Sequence, residues 1–228
     1  MGGPPQAEVQ VHRIGNEGEP LVIIDHFSGQ VDRLRAMGAA AQYDEGGAAY
    51  PGVRAPADAS YLDIRRELMM KLVQDVFGVR QSIGCQVSAF SLVTVAEAEL
   101  SPVQRIPHYD APDPGVIAVM HYLDGPESGG TAFYRHKATG FEAITPERED
   151  AYEQAVAREM SEKGEPLAHY HYGDSDRYEM IAAVEARPDR MALYRGRLLH
   201  SGIIPDASKL SSDPSQGRLT VNMFLRGS

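Results

Sequence analysis

His108 and Asp110 stand one residue apart in Ile106-Pro107-His108-Tyr109-Asp110. In an extended segment, side chains two apart point the same way, so an imidazole and a carboxylate can reach one ion. About ninety residues further on, Leu198-Leu199-His200-Ser201-Gly202 offers another histidine after a strand-like run. Two imidazoles and one carboxylate form a facial triad, which covers one face of an octahedron and leaves three positions open, as non-haem Fe(II) sites do. A bidentate 2-oxo acid and dioxygen would fill them. The competing explanation is coincidence, since an isolated H-x-D pair arises by chance and a lone histidine is commonly a hydrogen-bonded structural residue.

Arg218 and Thr220 also share a face of a strand-like segment, where a guanidinium fork and a hydroxyl could hold a carboxylate. The alternative is an exposed arginine that merely opens the last strand. Alternation from Arg218 turns Asn222 and Phe224 inward, and alternation from Tyr122 turns Met120 and Ala118 inward and His121 away. Asn222 and Tyr134 are candidates to line a substrate pocket, with core packing as the other role for Tyr134. A rival metal cluster, His169-Tyr170-His171 with Asp174, lies in a polar insertion without a third ligand held on a strand, which suits a solvated or substrate-facing role better. His12, His26 and His136 read as ordinary surface or packed residues.

These residues need a scaffold, and the pattern supplies a strand-rich one. Strand-like runs cover Cys85 to Val95, Val116 to Leu123, Thr131 to His136, Tyr178 to Ala186, Met191 to Tyr194 and Leu219 to Leu225, separated by Gly, Pro and Asp turns. Many short strands of this kind predict a barrel or jelly roll. Upstream, Leu21 to Asp25 reads as a buried strand, and Val31, Leu34 and Met37 have helical spacing. Pro51 to Pro56 reads as a breaker-rich loop, followed by an amphipathic helix through Leu62, Leu68, Leu72, Val73 and Val76 that Gly78 closes. The insertion at 137–176 contains one helix, with Thr145 as N-cap, Pro146 at its first position and Gly164 as terminator. Insertions of such length usually have a use, so this helix and the His169 to Tyr172 stretch are expected at the substrate pocket, the alternative being a packing appendage that covers an outer sheet face.

His108-x-Asp110, Tyr122-Leu123-Asp124, Gly129-Gly130-Thr131-Ala132-Phe133, His200 and Arg218-Leu219-Thr220 follow one another in an order that resembles the 2-oxoglutarate and Fe(II)-dependent oxygenases of the prolyl-hydroxylase-like kind, in an uncharacterised bacterial branch. The resemblance covers residues 83 to 226. It implies a mainly β protein with flanking helices, built as a double-stranded β-helix (jelly roll, cupin-like): a single domain over 1–228, with an N-terminal strand and supporting helices in 1–82 and the core in 83–226. It further implies Fe(II) on His108, Asp110 and His200, and 2-oxoglutarate held by Arg218 and Thr220. Tyr122 occupies the place of a tyrosine that assists that arginine in relatives, or else is a packed core aromatic. Eighteen positions separate His200 from Arg218, more than is usual in the family, and Pro205 to Gly217 reads as an inserted loop. The implied activity is hydroxylation of a small molecule or peptide with O2; a carboxylate at Asp110 disfavours halogenation by filling the position a halide would need. Two other classes fit the same residues. A non-catalytic cupin-type metal-binding or sensor protein would give Arg218 no role, and a Zn(II) hydrolase would need a general base that the sequence does not offer.

With 228 residues, 43% of them hydrophobic, the chain suits one domain with a substantial core. A net charge of −10 without a basic run argues against a nucleic-acid partner. No apolar run approaches the roughly 20 residues of a membrane span, and Met1 to Gln6 matches neither a signal peptide nor a myristoylation pattern, so no membrane association is expected. Cys85, the single cysteine, reads as a small buried hydrophobe in a cytoplasmic protein. Nothing in the sequence fixes the oligomeric state.

Overall fold

The computed structural model describes residues 6–227 apart from 46, 48, 49 and 81. Its strands are β1 (Glu8–Ile14), β2 (Glu19–Asp25), β3 (Asp44–Glu45), β4 (Gly52–Pro56), β5 (Ile83–Val93), β6 (Val116–Tyr122), β7 (Gly130–His136), β8 (Tyr178–Glu185), β9 (Arg190–Arg195), β10 (His200–Ile203) and β11 (Leu219–Gly227). The helices are α1 (Val31–Ala39), α2 (Arg66–Asp75) and α3 (Glu149–Lys163). A major sheet runs β1-β2-β9-β6-β11-β5-β4-β3, a minor sheet runs β10-β7-β8, and all pairings are antiparallel. The two sheets face each other as a jelly roll.

Strand alternation sorts side chains into layers. On β6 and β11, Ile117, Val119, Val221 and Met223 point outward and pack under α1 and α2, which contribute Leu34, Met69, Leu72 and Val73. Each such fully buried side chain stabilises by about 1.5 to 3 kcal/mol, so an alanine at Leu72 should loosen α2 from the sheet. Ala118 and Tyr122 point inward and meet Phe133, Tyr194 and Leu198 between the sheets. Behind the minor sheet, Tyr134, Tyr178 and Leu199 pack on Tyr152 of α3.

Three expectations change. Pro51 to Pro56 is no loop: Gly52 to Pro56 pairs with Val93 to Ala89 as β4. Its prolines are tolerated because Pro51 lies outside the strand and Pro56 closes it, where a missing N–H breaks little of the ladder. Cys85 is exposed, because β4 stops pairing at Ala89 and the start of β5 runs on without cover. The insertion helix begins at Glu149, after a turn in which the Arg148 and Glu149 N–H groups both donate to the Thr145 carbonyl; Gly164 ends it at φ +81°. Among the described residues, no helix is long and apolar enough to cross a membrane.

Candidate metal centre

His108 and His200 are brought together by the backbone. They form an isolated antiparallel bridge, each N–H donating to the other's carbonyl at 2.9 and 2.8 Å. Two residues on, the Asp110 N–H donates to the Gly196 carbonyl at 2.7 Å, strapping the H-x-D segment along the connection that leads from β9 to β10. The imidazole rings lie 4.4 Å apart between centroids, and Asp110 reaches His108 Nε2 at 3.9 Å and His200 Nε2 at 3.6 Å. One ligand atom from each of the three residues falls within a common 4.8 Å span, which fits a single divalent ion.

The electrostatics suit ligation. Burial pushes the His200 pKa down to about 4, and burial together with the charge of His200 does the same to His108, so both rings are neutral with an open lone pair. His200 Nδ1 lies 2.8 Å from the Leu198 carbonyl and must donate to it, leaving Nε2 as the atom turned toward Asp110. Burial raises the Asp110 pKa to about 6, against the opposing charges of His108 and Arg54. His108 keeps 54% of its side chain exposed, and that exposure opens into a pocket.

That pocket, about 410 Å³, extends from the triad past Tyr194, Ala118, Met120, Phe224 and Asn222 to Arg218 and Thr131. Arg218 is held by carbonyls of the Gly129-Gly130 turn: Nε donates to Ser128 O at 2.8 Å and Nη2 to Gly130 O at 2.9 Å. Both glycines are required there. A Cβ on Gly129 would stand 1.9 Å from the Ile203 carbonyl oxygen, and one on Gly130 would stand 2.0 Å from that of Val184, at φ of +91° and +157°. Asp124 serves the same corner by accepting from the Leu219 N–H at 3.0 Å and pairing with Arg35.

The structure thus gathers His108, Asp110, His200, Arg218 and Asn222 around one cavity. It sets three other expected residues behind the wall. The Tyr122 hydroxyl donates to Thr131 Oγ1 at 2.7 Å, the Thr220 hydroxyl donates to Asn222 Oδ1 at 2.8 Å, and Tyr134 is fully buried in the cluster behind the minor sheet. Burial pushes the Tyr122 pKa up to about 12. From the insertion, Tyr170 and His171 line the pocket, while α3 packs on the far side of the minor sheet. Sequence reasoning misses Tyr50 and Arg54. Arg54 is hidden in the apparent loop that is β4, and Tyr50 gives no periodic signal at all.

The sequence matches the family described as "Family of unknown function (DUF6445)" over residues 5–225. Comparison with curated proteins returns no match. Among solved structures, SnoN, a non-heme alpha-ketoglutarate-dependent epimerase from nogalamycin biosynthesis, superposes with a TM-score of 0.51 at 14% identity, over 91% of this chain and 77% of its own. HygX from Streptomyces hygroscopicus, with nickel and 2-oxoglutarate bound, gives 0.49 at 15% identity over 91% and 83%. The 2-oxoglutarate complex of a viral collagen prolyl hydroxylase from Paramecium Bursaria Chlorella virus-1 gives 0.47 at 11% identity over 93% and 98%. The likeness to SnoN shows a shared fold, the jelly roll on which that 2-oxoglutarate-dependent non-haem enzyme is built.

Proposed function

The chain belongs to the DUF6445 family of unknown function, and for this member we propose a 2-oxoglutarate- and Fe(II)-dependent oxygenase that hydroxylates a small molecule or peptide. One observation carries the reading: a triad of two neutral imidazoles and a carboxylate, all with open lone pairs, shares a pocket with the Arg218 guanidinium. The donor set fits a six-coordinate Fe(II) with positions left for a 2-oxo acid and O2. A non-catalytic metal-binding protein has no use for Arg218 in the same cavity.

His108, Asp110 and His200 would hold the ion. When bound, Fe(II) and 2-oxoglutarate supply oxidative decarboxylation coupled to oxidation of a C–H bond by O2. The chain's part is positional. The Leu198 carbonyl keeps the proton of His200 on Nδ1, so Nε2 stays a ligand atom. Arg218, with Nε and Nη2 engaged by Ser128 and Gly130, would hold the distal carboxylate of 2-oxoglutarate with its remaining donors. Ala118, Met120, Tyr194 and Phe224 form a largely apolar wall between the two ends, which limits water around the reacting centre.

Succinate production from 2-oxoglutarate, measured under air with added Fe(II), tests the proposal. Slow turnover without substrate is the expected outcome. No succinate, together with no uptake of 2-oxoglutarate by the metal-loaded protein, would return the protein to the metal-binding or sensor class.

A further inference from the structure

Arg54 is the pocket cation that this reading leaves without a task. It stands on β4 opposite Ser91 of β5, which is opposite Thr220 of β11, so all three share the inner face of the major sheet. Its guanidinium lies 4.2 Å over the ring of Tyr50, and its charge is felt by both His108 and Asp110. Arg54 Nε is buried without a hydrogen-bond partner among the described residues. The same holds for His171 Nε2, which lines the same pocket, where the Tyr50 hydroxyl is also buried, beside Ser91. Orphaned buried polar atoms are rare because each sacrifices its hydration, and two around one cavity point to a polar ligand that meets them.

Charge identifies that ligand. Asp110 is the single carboxylate among the described residues lining the pocket, which also carries two guanidinium groups, in a protein of net charge −10. A divalent ion held by Asp110 retains one positive charge. Dianionic 2-oxoglutarate is then balanced by that charge and by Arg218. Arg54, half-buried with its Nε out of water and its charge acting on His108 and Asp110, remains as the surplus cation, which favours one further anionic group. Val93, Val103, Ile106 and Ile204 add an apolar lining to the same pocket. The pocket size is that of small-molecule sites.

We propose that Arg54, seated on the Tyr50 ring, binds a substrate carboxylate, so that the molecule oxidised is a monoanionic carboxylic acid with an apolar body. The inference rests on the oxygenase reading for the contents of the other half of the pocket.

The experiment is a calorimetric titration of protein loaded with Mn(II) and 2-oxoglutarate, which does not turn over. The probes are N-acetyl-leucine, N-acetyl-phenylalanine and octanoate, each paired with its uncharged primary amide. At least one acid should bind about tenfold or more tightly than its amide, as expected for a charge-assisted contact in a desolvated site. Arg54→Gln should abolish that preference and Arg54→Lys should keep part of it, both with 2-oxoglutarate affinity within about threefold of the parent, which also reports correct folding. Amides that bind as tightly as acids, an acid preference that survives Arg54→Gln, or no binding by any acid overturns the proposal. Loss of 2-oxoglutarate binding in Arg54→Gln makes Arg54 a cosubstrate anchor, which overturns the proposal and leaves the oxygenase reading standing. A parent that takes up no 2-oxoglutarate sinks the oxygenase reading, and the acid and amide arms with Mn(II) alone then still decide whether Arg54 binds a carboxylate.

Discussion

Two histidine–carboxylate clusters lie on opposite sides of the major sheet, one on its outer face and the other across its inner side on the edge of the minor sheet, and they differ in what their lone pairs do. On the outer face, His121 Nε2 meets Asp189 Oδ1 at 3.1 Å and Nδ1 meets the Tyr61 hydroxyl at 3.0 Å. Asp189 also accepts from the Ser28 N–H and hydroxyl and from the Gly29 N–H, and every one of these groups is taken up. Burial alone would raise the Asp189 pKa, but the hydrogen bonds from His121, Ser28 and Gly29 outweigh it and hold it at about 2. On the inner face, Asp110 has no such donors, its pKa rises to about 6, and two imidazoles aim at it from ligand distance. A carboxylate beside a histidine is therefore no signature of a site. Open coordination capacity facing a cavity is.

The largest expected effects separate the clusters outright. Asp110→Asn should lower Mn(II) affinity by about a hundredfold or more, because a charged ligand is lost. The apo-protein should be no less stable at pH 8. With a folded pKa raised from the ordinary 3.8 to about 6, the contribution of Asp110 to stability is present below pH 3.8 and lost as pH rises through about 6, so a neutral replacement gives up nothing at pH 8. Metal titration and thermal melts check both halves, and a melt well below wild type would mean that Asp110 is structural.

Asp189→Ala should do the reverse, costing about 3 to 5 kcal/mol in denaturant unfolding by leaving His121 and three donors unmatched. Folded protein that remains should still take up Mn(II). A depressed folded pKa also has a pH window: the stabilisation from Asp189 is present above pH 3.8 and lost as pH falls through about 2, a loss that Asp189→Asn should not show. Metal binding that disappears together with the fold in partially destabilised samples only would leave the contrast intact, whereas loss of metal from fully folded Asp189→Asn would break it.

Arg218 stands between the two kinds, with Nε and Nη2 engaged and the rest of its fork toward the pocket. Arg218→Ala should weaken 2-oxoglutarate binding by about 1.5 to 3 kcal/mol, tenfold or more, in an anaerobic titration. Unchanged affinity would shift the cosubstrate to Arg54. Arg195, the other basic residue of the strand segments near the triad in sequence, is not available, since it donates to the Pro114 and Phe77 carbonyls and pairs with Glu19.

Period-two alternation made much of the site legible. It places His108 with Asp110, turns Asn222 and Phe224 inward and sends His121 out, because a strand leaves a side chain only two directions. The jelly roll was legible from its many short strands for the same reason. Alternation is silent on whether an inward hydroxyl is already engaged, which is why Tyr122 and Thr220 look like pocket residues and sit behind its wall. It fails where breakers mask a strand, as Pro51, Gly52 and Pro56 mask β4 and with it Arg54. Tyr50, Tyr170 and His171 reach the pocket from irregular segments, which carry no period to read.

The smallest effect tests the distinction most finely. Tyr122 is inward and close enough to Arg218 to feel its charge, yet its hydroxyl is committed to Thr131 Oγ1 at 2.7 Å. If engaged groups are structural, Tyr122→Phe removes one buried hydrogen bond and nothing from the pocket. Stability should fall by about 0.5 to 1.5 kcal/mol, near the low end because the Thr131 hydroxyl can rotate toward another acceptor. The affinity for 2-oxoglutarate should move less than about threefold, under 1 kcal/mol. Tyr50→Phe is the matched control, because its hydroxyl lines the pocket beside Ser91 and feels both Arg54 and Arg218. It should leave unfolding nearly unchanged and weaken ligand binding instead. A Tyr122→Phe protein of wild-type stability with 2-oxoglutarate affinity reduced tenfold would mean that the hydroxyl leaves Thr131 for the cosubstrate, and that engagement in the ligand-free fold does not separate structural from binding residues.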